Sequence, residues 1–252
     1  MTLQFAANLS WLYTELAFED RFAAAASDGF KAIEILFPYE HKAARVAALL
    51  REHDLQCVLI NAPPGDWANG ERGLTALPGR EAEFRASLDE AAAYAKEIGC
   101  PRIHVMSGMA DGDDESASEL WVANMREAAN AKIALTVEPL NARDVPGYFL
   151  RTNTQALNLI ERVGAANLGL QFDLYHAGHT EADVQANLRM AYATGHIHHV
   201  QIAGLPDRHE PDQFDQLALL DELGYAGWVG CEYKPRAGTS EGLGWLSSVV
   251  KR

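Results

Sequence analysis

The chain has 252 residues, 48% hydrophobic and 22% charged, which suits one large α/β barrel or two small globular domains with a substantial buried core. Its 35 acidic and 21 basic side chains give a formal charge of −14, which argues against nucleic acid or an anionic membrane as a main partner, since both need a basic surface. No run approaches the roughly 18 apolar residues of a membrane span.

The N-terminal MTLQFAANLS lacks the cationic start and apolar run of a signal peptide, so a cytoplasmic protein is expected. LQFAANLS reads as a first strand, and an Ala- and Phe-rich helix over 15–27 follows, closed at Asp28-Gly29. KAIEILFP is a second strand stopped by Pro38. The next helix, over 40–53, places Val46, Leu49 and Leu50 on one face. QCVLINAPPGDW gives a third strand and then a Pro/Gly-rich loop to Pro78. Its length and Trp67 predict a lid over one end of the fold.

An amphipathic helix over 80–98 ends at Gly99, and PRIHVMSG is the fourth strand. The acidic run 111–119 caps the next helix and faces solvent. IALTVE is the fifth strand, followed by a helix over 152–163. LGLQFD is the sixth, with a helix over 181–194. HIHHVQIA is the seventh, with a helix over 214–223. WVGCE is the eighth, and a final helix covers LGWLSSVV. Eight strands alternating with helices, without a linker-like break, predict a single-domain (β/α)8 barrel over 1–252. Cys57, Cys100 and Cys231 fall in or beside strands without paired spacing and read as buried, reduced thiols.

Four successive strands end on an oxygen donor: Glu138, Asp173, Gln201 and Glu232. One such acid could simply pair a lysine at a strand end. Four at the carboxyl ends of parallel strands predict a metal site at the barrel mouth. Strand alternation supports this. Thr136 and Ala134 share the inward parity of Glu138, Gln171 and Gly169 that of Asp173, and Gly230 and Trp228 that of Glu232. Oxygen donors without thiolate or imidazole favour Mg²⁺ or Mn²⁺.

Three carboxylates against one divalent ion leave a negative site, so an anionic substrate needs nearby cations. His176, Arg208, His209 and Lys234 are the candidates. In the HIHH run only His199 shares the inward parity of Gln201, and the run reads as structural. His104 is open between a core histidine and a substrate contact.

The segments NAPPGDW, GLTALPGRE, VEPLN, PGYFL, FDLYH, HVQIAGLPDRHEP and GWVGCEYKP together resemble the hydroxypyruvate isomerase family of xylose-isomerase-like barrels. AGLPDRHEP and the late EGLGW look most like its 2-oxo-tetronate isomerase branch. The resemblance implies one divalent ion at Glu138, Asp173, Gln201 and Glu232, with Glu138 and Glu232 also acting as proton donor and acceptor. It implies isomerisation of a small sugar acid through an enediolate. The charge predicts no nucleic acid or membrane partner; self-association is open. The chain departs from the family where HEPDQ runs almost directly into FDQLALL without a Gly-Glu-Ile-Asn-Tyr-like segment. It also departs in the short link near Asn130, and at Ala177-Gly178, where glutamine is common at the second position. A ketose 3-epimerase and a non-catalytic sugar-acid binder are rival readings on the same residues. An abasic-site nuclease would need a basic surface and a His-rich, multi-metal site.

Overall fold

In a computed structural model, residues 3–249 are described. Eight parallel strands close into a barrel in sequence order: β1 Gln4–Asn8, β2 Ala32–Ile35, β3 Gln56–Asn61, β4 Arg102–His104, β5 Ala134–Val137, β6 Leu168–Asp173, β7 Ile197–Ile202 and β8 Trp228–Cys231. β1 pairs β8 and completes the ring, so no strand edge is left open. Around it run α1 Asp20–Ser27, α2 Ala43–Glu52, α3 Glu81–Ile98, α4 Glu115–Ala128, α5 Asn153–Val163, α6 Leu174–Thr180, α7 Val184–Ala193 and α8 Phe214–Glu222. The C-terminal segment is broken into Thr239–Gly242, a 3-10 turn Leu243–Trp245, and Leu246–Val249; the end of the expected LGWLSSVV helix, Val250, lies outside the described residues.

Helix ends follow local chemistry. Asp114 caps α4 by accepting the Ser116 N–H, as the acidic run predicts, and Thr152 caps α5 through Gln155. Gly99 closes α3 at φ +71, a left-handed conformation that costs glycine least. All three cysteines are free and buried.

The helix expected over 15–27 begins only at Asp20. Tertiary bonds take the preceding residues instead: Tyr13 N–H donates to Thr239 Oγ1 at 2.6 Å, and Glu15 accepts the Thr239 N–H at 2.8 Å. The loop after β3 is an ordered wall. Its 3-10 turn Trp67–Asn69 is capped by Asp66, the Trp67 ring packs on Phe37 at 5.1 Å, and Arg72 lies 3.6 Å over the indole. A bridge from Gly73 to Ser107 fixes this loop beyond the carboxyl end of β4.

Inside the barrel, Ala6, Ala32, Val58 and the half-buried Trp228 form a small apolar plug towards the amino ends of the strands. Above it the interior turns polar. Thr136, Gln171, Gln201, Glu34 and Asn8 are all buried and hydrogen-bonded to one another in sequence. The expected parity holds for Thr136, Gln171 and Gly230. At β7 a register shift intervenes: Leu170 pairs Ile197, but Gln171 pairs His199. The irregularity puts His198 inside as well, against Gly169, where a Cβ would overlap the imidazole. The expectation that only His199 of the HIHH run faces inward is corrected by this bulge.

Candidate active site

Four elements deliver the site. β5 and β8 each run one residue further to Glu138 and Glu232. β6 ends on Asp173, whose Oδ1 caps α6 by accepting the Tyr175 N–H at 2.7 Å. That cap starts a short helix the pattern did not show, and one turn on it holds His176 against the carboxylates. The signal was present, since an aspartate ending a strand is a good helix N-cap. Glu138, Asp173, Gln201, Glu232, His176 and His104 are all buried.

Glu138, Asp173 and His176 each offer a ligand atom within 4.8 Å of the others, a grouping able to hold a metal ion. Glu138 Oε1 is buried with no hydrogen-bond partner, so part of this carboxylate is unsatisfied by the protein. Arg208 enters from the loop after β7. Its Nη2 lies 3.2 Å from Asp173 Oδ2 and 3.2 Å from Glu232 Oε2. Its Nε donates to the Glu232 carbonyl, and its guanidinium lies 5.0 Å from the Trp11 ring and 4.8 Å from the Tyr175 ring.

Three buried carboxylates with one guanidinium are short of positive charge. Burial, then the charges of Asp173 and Glu232, push Glu138 well above the usual carboxylate range, with Arg208 opposing. Burial raises Asp173 as well, against the pull of Arg208. Glu232 rises to about 7, again through burial first, with Arg208 and the Trp11 indole drawing it down. Burial works against the charge on Arg208, but Glu232, Asp173 and Glu138 outweigh it. A divalent cation among these oxygens would relieve the same crowding.

His176 is held on one side by Asn141, whose backbone N–H lies 3.1 Å from Nδ1. Arg208 Nη1 lies 3.0 Å from Nε2. A neutral imidazole has one lone pair for these two donors. Donors therefore face both ring nitrogens, and Asn141 and Arg208 compete for the single lone pair. Burial, then the Arg208 charge, hold the ring well below its usual pKa, in its neutral form. His104 is also neutral: burial, then His199, lower it to about 3. Both its ring nitrogens lack hydrogen bonds, and Nε2 is 3.7 Å from Glu138 Oε2.

The structure thus brings Glu138, Asp173, Glu232, His176, Arg208 and His104 together, with Gln201 joined to Glu138 through Gln171. It does not bring in the other two expected cations. The Lys234 side chain is exposed and has no bond to the carboxylates among the described residues, while its backbone N–H donates to Arg208 at 2.7 Å. His209 Nδ1 bonds the Lys234 carbonyl at 2.8 Å. Both serve the loop that carries Arg208. Two residues went unread in the sequence: Trp11, whose Nε1–H donates to Glu232 Oε1 at 3.0 Å, and Glu34, behind Gln201.

Residues 22–249 match the family model described as xylose isomerase-like TIM barrel. The chain is 52% identical to the 2-oxo-tetronate isomerase of Cupriavidus necator, with 99% of each chain covered. It is 40% identical to the hydroxypyruvate isomerase of Escherichia coli, over 97% of this chain and 98% of that one. A crystal structure from Brucella melitensis, described as an AP endonuclease of family 2, superposes with a TM-score of 0.94 at 43% identity, covering 99% of this chain and all of the other.

Proposed function

The chain belongs to the hydroxypyruvate isomerase family of xylose isomerase-like TIM barrels and is an isomerase, and from that premise we propose a metal-dependent movement of a carbonyl between adjacent carbons of a small sugar acid. The substrates that fit are a 2-oxo-tetronate, giving the 3-oxo isomer, or hydroxypyruvate, giving tartronate semialdehyde. The observation that carries the reading is the convergence of three buried carboxylates, Glu138, Asp173 and Glu232, from three strand ends onto one mouth.

Glu138, Asp173, Gln201 and Glu232 would hold the divalent ion, magnesium or manganese. His176 is left out of that set because Asn141 faces Nδ1 and Arg208 faces Nε2. When bound, the ion supplies Lewis-acid polarisation of the substrate's adjacent carbonyl and hydroxyl oxygens.

The protein's own groups move the protons. For a 2-oxo-tetronate, one of Glu138 and Glu232 removes the C3 proton, leaving an enediolate across C2 and C3. The other returns a proton at C2, while the hydroxyl proton passes from O3 to O2. His176 Nε2–H donates to a substrate oxygen and steadies the charge that develops there. Arg208, the cation facing the carboxylates, anchors the substrate carboxylate with its planar fork. The ordered wall around Trp67 and the segment carrying Arg208 shield the intermediate from water.

The nuclease name of the Brucella relative is set aside for this chain, because a charge of −14 repels a phosphate backbone. Proton NMR of the protein with Mg²⁺ or Mn²⁺ in D₂O, against 2-oxo-tetronates, hydroxypyruvate and neutral ketoses, tests the proposal. Metal-dependent loss of the carbinol C–H signal with appearance of the isomeric oxo acid is expected. Turnover of neutral ketoses alone, by inversion at one carbon, would favour the epimerase reading instead.

A further inference from the structure

We infer that Glu34 is a positioning residue for the site, setting the direction of a buried hydrogen-bond chain that orients Gln201 and, through Gln171, Glu138. The inference rests on the reading that Gln201 and Glu138 hold a divalent ion. A carboxylate oxygen only accepts, so the Gln201 atom 2.8 Å from Glu34 Oε2 is the amide nitrogen. The Gln201 oxygen is thereby turned the other way, where it accepts from Gln171 Nε2 at 2.7 Å. The same Gln171 nitrogen lies 3.1 Å from Glu138 Oε2, and the Gln171 oxygen accepts from the Thr136 hydroxyl at 3.1 Å. Each amide has one donor end and one acceptor end. Fixing the first therefore fixes the next, from β2 through β7 and β6 to β5.

Glu34 sits in a slot built for a carboxylate. His199 Nε2 contacts Oε1, and Asn8 Nδ2 donates to Oε2 at 3.1 Å. Asn8 is oriented in turn by the Ser10 N–H on its Oδ1, at 3.1 Å. On β8, a Cβ at Gly230 would overlap the Glu34 carboxylate, so the close approach requires glycine. A buried charge of this kind is expensive, and an apolar side chain would fill the space more cheaply. Yet the acceptor at Oε2 is what forbids the Gln201 amide from flipping. A glutamine at position 34 has one acceptor oxygen where the carboxylate offers two, so His199 on one side competes with Asn8 and Gln201 on the other for it.

The test is Mn²⁺ affinity, read by electron paramagnetic resonance, for the wild type, Glu34→Gln, Gln201→Leu and the double variant. Glu34→Gln is expected to weaken Mn²⁺ binding about tenfold or more, the usual consequence of losing an outer partner of a ligand. If Glu34 acts through Gln201, the double variant binds within about threefold of Gln201→Leu alone. Additive losses, or an unchanged affinity in Glu34→Gln, overturn the inference. Undiminished binding by Gln201→Leu instead removes the ligand reading, and the inference with it.

Should Glu34→Gln not fold, NMR of the wild type decides. The Gln201 side-chain amide, assigned by its loss in Gln201→Leu, is expected to exchange slowly with D₂O. Free exchange of that amide overturns the inference.

Discussion

The backbone N–H of Asn141 lies 3.1 Å from Nδ1 of His176, while Arg208 Nη1 lies 3.0 Å from Nε2. The fixed backbone amide is expected to win the lone pair once Arg208 turns to a substrate carboxylate, so that the neutral ring presents Nε2–H to the site. Nitrogen-detected NMR of the His176 ring with substrate bound is expected to show an unprotonated Nδ1 and a protonated Nε2, without titration through neutral pH. His176→Leu should lower kcat about 100-fold by removing that donor. An unprotonated Nε2 in that complex would contradict the assignment.

Trp11 acts on Glu232 directly, donating from Nε1 to Oε1 at 3.0 Å. Burial raises Glu232 to about 7 and the indole bond pulls it down, because a hydrogen bond to the carboxylate favours its charged form. Trp11→Phe keeps the ring and removes the donor. The limb of the kcat/KM profile that Glu232 sets should then move to higher pH. Unmoved limbs would separate Trp11 from the proton-transfer pair.

His104 gives a stability prediction. Its folded pKa, about 3, lies below the ordinary histidine value of 6.5, so the unfolded chain binds more protons between the two. The sign follows: its contribution is fully present above pH 6.5 and is lost as pH falls towards 3, at up to about 1.4 kcal/mol per pH unit. Denaturant unfolding of His104→Leu between pH 7 and 5 should show a shallower loss than the wild type. Equal slopes would mean that the ring is protonated at little cost in the fold.

Much of this architecture was legible in the residues because barrel strands keep a strict period of two. Thr136 with Glu138, Gln171 with Asp173 and Gly230 with Glu232 declared one inward face. What broke the reading was local. The bulge at His198 shifts the register of β7, and a bulge leaves no mark in composition. The early part of the 15–27 helix was lost because Tyr13 and Glu15 bond Thr239, more than 200 residues away, and propensity carries no knowledge of such partners. Trp11 and Glu34 belong to the same class: their roles lie in partners just after β8 and on β7. Lys234 shows the converse limit. Its position after a strand end looked right, but the chain turns its side chain to solvent and uses its backbone.

Asp173 tests the metal reading. Asparagine keeps the shape and the helix cap but drops one charge from the donor set. Asp173→Asn should therefore weaken Mn²⁺ binding about 100-fold or more while its thermal midpoint stays near the wild-type value. Undiminished binding would remove Asp173 from the ligand set.

The central claim is that Glu138 and Glu232 divide the proton transfer, and deuterium exchange in Glu138→Gln and Glu232→Gln measures it. Each variant keeps an oxygen towards the ion and loses the group that carries the proton, so isomerisation should fall by about two to four orders of magnitude. Proton NMR with the oxo-acid substrate in D₂O, with metal bound, separates the half-reactions. The account predicts that one variant still exchanges the carbinol proton with solvent without completing isomerisation, while the other does neither. Isomerisation by both variants at near wild-type rates would contradict it.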